Sequence, residues 1–239
     1  MAETSSEILS DIRALHASSR WRSIGLFFAQ FLTSPRLVGA VAPSSRFLAR
    51  KMLEGLDLNP GVRIVEFGPG TGSFTSEIFH ALPGDGQFLG IERERAFVEI
   101  LRERFTRGDF VLDSVVRIRE IADTRGLLPV DHIISGLPFA SLPPSLTLEI
   151  LDGIGEVLRP GGTFTTFQYL HAYHFASART FRVRMAERFS PIRQRCLEWR
   201  NLPPAYVFTW QKPVAAPGGD GDETSNRECH YVATQTHEA

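Results

Sequence analysis

Apolar positions along the chain change period several times, and these changes divide it into elements. Trp21, Ile24, Phe27, Phe28, Phe31 and Leu32 recur at helical spacing, with Arg22, Ser23, Gln30 and Thr33 between them. The pattern predicts an amphipathic helix ending near Pro35. A second helix is expected over 46–55, with Ser44 and Ser45 as its N-caps. After the Asn59-Pro60-Gly61 turn, residues 63–67 read as a buried strand and 74–82 as a helix. Further strands are expected at 87–91, 115–119, 132–135 and 163–169, and further helices at 95–105 and 145–158. Strands and helices alternating at these lengths predict an α/β fold with a mostly parallel sheet. Residues 179–189 then read as a helix, and 192–198 with 205–211 as an antiparallel hairpin. Beyond Pro213 the Gly, Asp, Ser and Thr content predicts a disordered tail. The expected organisation is a helical segment over 1–58, one domain over 59–212 and the tail over 213–239.

Composition changes this picture little, but charge distribution changes it more. With 239 residues, 43% hydrophobic and 22% charged, the chain suits a single domain with a sizeable core. A net charge of −1 gives no bulk attraction to nucleic acid, where neutralising phosphates supplies much of the affinity. Yet 12–53 contains no acidic residue and carries Arg13, Arg20, Arg22, Arg36, Arg46, Arg50 and Lys51. The amphipathic helix can therefore pack its apolar face on the domain, or lie in a membrane interface with its arginines on anionic headgroups. No apolar run approaches the roughly 20 residues that cross a bilayer. The first eleven residues lack the basic start and apolar middle of a signal peptide. Cys196 and Cys229 form no CxxC pair, so neither a zinc site nor a disulfide framework is expected, and a reducing, cytoplasmic location fits.

The sharpest motif is Val65-Glu66-Phe67-Gly68-Pro69-Gly70-Thr71-Gly72, between an expected strand and helix. Gly68, Gly70 and Gly72 permit the abrupt turn and close backbone approach that a bound cofactor requires. Glu92 follows about twenty residues later at the end of the second strand, where a carboxylate can grip a ribose diol. A dinucleotide oxidoreductase can use the same logic. Glu66, however, would repel a pyrophosphate, and it can accept hydrogen bonds from an aminopropyl ammonium. The Leu158-Arg159-Pro160-Gly161-Gly162 turn resembles the "L-x-P-G-G" turn of methyltransferases that use S-adenosyl-L-methionine.

Several phrases make the resemblance more specific. They are Val38-Gly39-Ala40-Val41-Ala42-Pro43-Ser44-Ser45, Ser135-Gly136-Leu137-Pro138-Phe139, Phe164-Thr165-Thr166-Phe167-Gln168-Tyr169 and Asn201-Leu202-Pro203-Pro204-Ala205. With the glycine loop, they resemble the bacterial phospholipid N-methyltransferases over roughly Trp21 to Lys212. The resemblance implies a Rossmann-like methyltransferase fold preceded by a membrane-touching helix. It implies methylation of the amine of phosphatidylethanolamine towards phosphatidylcholine, by an enzyme peripheral to the inner face of the cell membrane. Its implied partners are an anionic membrane surface and a phospholipid, without nucleic acid or metal. Ser44, Ser45, Asp123 and Ser135 join the cofactor set, Asp123 (in Ala122-Asp123-Thr124) as the partner of the adenine amine. In the related adenine enzymes a polar side chain orienting a planar amine stands where this chain has Gly136, which favours a flexible aliphatic amine. An rRNA adenine N6-dimethyltransferase is the alternative enzyme, and a non-catalytic cofactor-sensing or membrane-shaping protein the alternative class.

The substrate chemistry points to a third set. In-line displacement at a sulfonium needs a neutral amine held close to the methyl group. Tyr169, His171, Tyr173 and His174 follow the fifth strand, at the edge where sheet ligands bind. His171 is the candidate proton acceptor. Phe139, Tyr169 and Tyr173 are candidates for an aromatic wall attracting the methylated ammonium, with Pro138 beside them. Arg179 and Arg182 are candidates for the lipid phosphate.

Overall fold

The computed structural model describes residues 43–214, so the expected amphipathic helix and nearly all of the expected tail lie outside the described residues. Helix α1 spans Pro43–Leu53. It is followed by β1 (Arg63–Phe67), α2 (Ser73–Ala81), β2 (Gln87–Glu92), α3 (Arg95–Arg104) and β3 (Asp109–Leu112). Then come α4 (Ile118–Asp123), β4 (Val130–Ser135), α5 (Pro144–Val157), β5 (Leu158–Tyr169), α6 (Ala176–Arg188), β6 (Ser190–Glu198) and β7 (Ala205–Gln211).

These strands form one seven-stranded sheet in the order β3-β2-β1-β4-β5-β7-β6. The first five strands are parallel, and β7 runs antiparallel to both its neighbours. This is the Rossmann-like methyltransferase arrangement, with its antiparallel hairpin at one side. Both faces are covered, so successive β1 residues serve different cores. Val65 and Phe67 join Ile133, Phe164, Phe208 and Trp210 beneath α4, α5 and α6. Ile64 joins Phe88, Ile134 and Val207 beneath α1, α2 and α3.

Strand order reverses between β1 and β4, and ligands of open α/β sheets bind at that crevice. Two backbone bonds carry the ladder past the strand ends there: Gly68 N donates to Ile91 O at 3.0 Å, and Gly136 N to Phe67 O at 2.9 Å. The loop after β1 leads to α2 on one face of the sheet, and the loop after β4 leads to α5 on the other.

Three expectations change. Helix α1 starts at Pro43, which puts Ser44 and Ser45 in its first turn rather than at its cap. The strand expected over 115–119 is instead a 3-10 turn (Val115–Arg117) running into α4. Its apolar residues alternate, but Val115, Ile118, Ile121 and Ala122 share one buried helical face, and Ser114 caps the turn. The true third strand is the short Asp109–Leu112. Finally, Pro160-Gly161-Gly162 forms an irregular entry within β5 rather than a turn before it.

Candidate active site

The glycine loop leaves β1 with Gly68, Gly70 and Gly72 at φ of +65°, +58° and +85°, a region that other residues enter only with strain. Space matters as well: a Cβ on Gly68 would lie 2.9 Å from Leu137 Cδ2, and one on Gly72 would run into Phe105 and Leu101. The loop therefore packs against both the β4 loop and α3, and it opens onto the switch point.

Glu66 lies beneath this loop with no exposure. Its Oε2 accepts a hydrogen bond from Thr75 Oγ1 at 2.7 Å, and Oε1 is a buried oxygen without a partner. Burial pushes the carboxyl up to about 8. The Thr75 hydrogen bond works against that shift, and the nearby charge of Glu92 adds to it. A buried acceptor missing its donor fits a bound cation carrying N–H groups, as the S-adenosylmethionine ammonium does.

Glu92 closes the other side and is 8% exposed. Its Oε2 accepts from Gly70 N at 3.0 Å, and Oε1 from the backbone N–H groups of Arg93 and Glu94 at 2.7 and 3.0 Å. The side chain thus ties the end of β2 to the glycine loop at the expected ribose position.

Asp123 is misplaced for the adenine role. It is exposed at the end of α4, and Arg125, two residues on, pairs at 2.7 Å with Asp109 at the start of β3. That is the opposite edge of the sheet from the glycine loop. Asp113 stands on the correct edge: it follows β3 directly, and its N–H donates to Glu92 O at 3.0 Å. Its carboxylate accepts from Ser114 N at 2.7 Å and Arg117 Nη1 at 2.9 Å. The signal was present in Asp109-Phe110-Val111-Leu112 before Asp113, but four residues without clear alternation show no strand period.

On the acceptor side, Ser135 ends β4 fully buried, its Oγ accepting from Leu137 N at 3.2 Å. A Cβ on Gly136 would lie 3.1 Å from Gly68 O and 3.7 Å from Phe74 Cε2. Phe74, which sequence reasoning missed, opens a row of rings that ends in the expected Tyr169 and His171. It meets Phe167 edge-on at 5.7 Å, Phe167 meets Tyr169 at 5.2 Å, and Tyr169 stacks on His171 at 5.6 Å. The row leads from the switch point to exposed His171. Burial pushes the Tyr169 phenol up to about 12, so it remains neutral.

Two expected wall residues are committed elsewhere. Phe139 is 4% exposed and stacks on Phe181 at 4.4 Å, which anchors the loop carrying half-buried Pro138 to α6. The Tyr173 ring already bears a cation, with the Arg182 guanidinium 4.0 Å from its centroid and that of Arg195 at 5.7 Å. Arg182 also donates to Gln168 Oε1 at 2.6 Å and Tyr173 O at 3.0 Å. Its pKa is lowered by burial and by neighbouring Arg179 and Arg195, with Tyr173 acting the other way. None of these three arginines forms an ion pair with a carboxylate among the described residues. Arg195 was not foreseen: it sits at φ +56° in an irregular stretch of β6, which no sequence pattern marks.

Fold, glycine cradle and buried acidic pair together define a methyltransferase that uses S-adenosylmethionine. Comparison with known proteins agrees. The family model described as protein-L-isoaspartate(D-aspartate) O-methyltransferase matches residues 27–195. The ornithine lipid N-methyltransferase of Singulisphaera acidiphila is 32% identical over 186 residues, covering 77% of this chain and 93% of that one. Ribosomal RNA small subunit methyltransferase A of Prosthecochloris aestuarii is 26% identical over 115 residues, 48% of this chain and 42% of that one. Among solved structures, the 1,6-didemethyltoxoflavin-N1-methyltransferase of Burkholderia thailandensis, with bound 1,6-didemethyltoxoflavin and S-adenosylhomocysteine, superposes with a TM-score of 0.57 at 19% identity, covering 84% of this chain and 90% of that one. The chain belongs to the protein-L-isoaspartate(D-aspartate) O-methyltransferase family of S-adenosylmethionine-dependent methyltransferases.

Proposed function

We propose that this enzyme N-methylates the primary amine of a membrane lipid, phosphatidylethanolamine being the acceptor we favour, at the inner face of the cell membrane. S-adenosylmethionine, when bound, supplies the electrophilic methyl group. Glu66 holds its ammonium, Glu92 its ribose, and Asp113 replaces Asp123 at the adenine end. Ser44 and Ser45 lie in the first turn of α1, whose N–H groups suit the same ligand. Arg182, with Arg179 and Arg195, holds the lipid anion, Tyr169 faces the methylated ammonium, and His171 accepts the amine proton.

The observation that carries this reading is Gly136, which has no side chain to orient a planar base; a Cβ there would lie only 3.1 Å from Gly68 O. The relative named for ornithine lipid supports a lipid amine of either kind, since ornithine lipid also joins an aliphatic amine to an anionic group. Transfer of labelled methyl groups to vesicles of phosphatidylethanolamine, vesicles of ornithine lipid and unmodified ribosomal RNA separates these acceptors. Labelling of ribosomal RNA alone would refute the proposal. Labelling of ornithine lipid alone would keep the class and replace the acceptor.

A further inference from the structure

Two neighbouring loops carry three large apolar side chains into solvent. Trp199 (62% exposed) and Leu202 (81%) lie in the turn joining β6 to β7, and Phe175 (55%) ends the loop between β5 and α6. The loops are bonded to each other, Leu170 N donating to Pro204 O at 2.8 Å. Since Ala205 pairs with Tyr169 at the end of β5, both loops lie on the edge that carries the acceptor site.

Single exposed apolar residues are ordinary, whereas a cluster on a rigid support marks an interaction surface. This support is rigid. Asn201 is 4% exposed and donates from Nδ2 to Pro203 O at 2.6 Å. Glu198, equally buried, accepts from the Arg200 backbone and from both sides of its guanidinium at 2.9–3.0 Å. The same guanidinium lies 4.1 Å from the centre of the Phe47 ring. Well-formed bonds thus hold the turn in a shape that leaves Trp199 and Leu202 outside.

Charge selects the partner. From Leu170 to Met185 there is no acidic residue, and the carboxylate nearest the hairpin turn, Glu198, is paired with Arg200. Exposed Arg179 donates its backbone N–H to Phe175 O at 3.0 Å, and exposed Arg195 reaches the Tyr173 ring in the same loop as Phe175. Aromatic and aliphatic tips with arginines beside them match the boundary of an anionic bilayer, where apolar groups enter the headgroup layer and basic groups meet lipid charge.

We propose that this edge docks on an anionic membrane surface through Trp199, Leu202 and Phe175, with Arg179 and Arg195 against the headgroups. The docking surface rests on the lipid-amine reading for its purpose, but its binding is measured without turnover. The test uses the full chain with Trp21→Phe, so that exposed Trp199 reports beside buried Trp210 (2% exposed). Vesicles of phosphatidylglycerol and phosphatidylcholine should shift the emission to the blue, and brominated lipid should quench it. Trp199→Ala with Leu202→Ala should lower vesicle partitioning about tenfold or more, the loss expected when two such side chains no longer leave water. S-adenosylmethionine affinity should be unchanged in that variant, which establishes that it is folded. Trp199 emission that is unmoved on vesicles binding the protein overturns the proposal. So does a double variant that binds vesicles normally and loses affinity for ribosomal RNA, which would assign the edge to nucleic acid. Vesicle docking as expected with no lipid amine methylated would instead sink the acceptor assignment and leave the docking surface standing.

Discussion

Replacing Glu66 by glutamine tests the cofactor site and its electrostatics together. Glutamine keeps the shape and the Thr75 contact but cannot ionise. In the free wild-type protein the carboxyl is raised from 4.5 to about 8, chiefly by burial. The folded state therefore keeps a proton that the unfolded chain releases. Between pH 4.5 and 8 the unfolded chain binds fewer protons, so this contribution is full below 4.5 and is lost as pH rises through about 8. At about 1.4 kcal/mol per pKa unit, the loss is on the order of 5 kcal/mol at most. Urea unfolding of both proteins from pH 5 to pH 9 should show Glu66→Gln gaining stability over wild type as pH rises, other groups cancelling in the difference. Binding should report the same proton. The cofactor ammonium favours the ionised carboxylate, so near pH 6.5 wild type should release about one proton on binding. Calorimetry in buffers of different ionisation enthalpy measures that release, and the glutamine variant should show none and bind weakly. A stability difference that does not vary with pH, with equal proton release from both proteins, would refute the reasoning.

Asp113→Ala should weaken S-adenosylmethionine binding about tenfold, the scale of one lost hydrogen bond to a charged group; Asp123→Ala should not, and calorimetric affinities that rank the other way would restore the original assignment. Gly136→Asn should lower unfolding free energy by about 1–3 kcal/mol through overpacking against Gly68 O and should confer no adenine methylation; urea titration and labelled ribosomal RNA check the two parts. Tyr169→Ala should slow lipid methylation, most at the step forming the quaternary product, by a cation–π loss of about 1–2 kcal/mol; Tyr169→Phe should keep most of the rate, and equal loss at every step in a product time course would assign the ring to packing.

What the sequence disclosed followed from how locally each feature is determined. Strand β1 and the glycine loop were legible because a buried strand, a run of turn-forming glycines and a helix follow one another without interruption. Glu92 was legible from its distance to that loop. The adenine position was not: its landmark is β3, whose four residues are too few to show a period, while Val115-Val116-Arg117-Ile118-Arg119 alternates like a strand and folds as a helix. Phe139 and Tyr173 show a different limit. Both lie at the correct edge, but a sequence cannot say that one ring faces Phe181 and the other is already covered by Arg182. Arg195 depends on pairing across an irregular β6 and has no local signature.

The scarcity of carboxylates on the acceptor half of the edge bears on the reaction proposed above. The loop after β4 and the loop after β5 contain no Asp or Glu, and Glu198 is neutralised by Arg200. A carboxylate beside the acceptor would look like a convenient base, but its charge would also stabilise the protonated amine and raise the pKa that has to be overcome. Guanidinium groups would act the other way, since like charge disfavours the ammonium while the same groups suit the proposed lipid anion. The sulfonium of the cofactor adds to that repulsion. In the proposed reaction an amine entering this edge would be driven towards the neutral form that attacks the methyl group, and its proton would have only to reach an acceptor open to water. His171, exposed and stacked on Tyr169, meets that lesser demand.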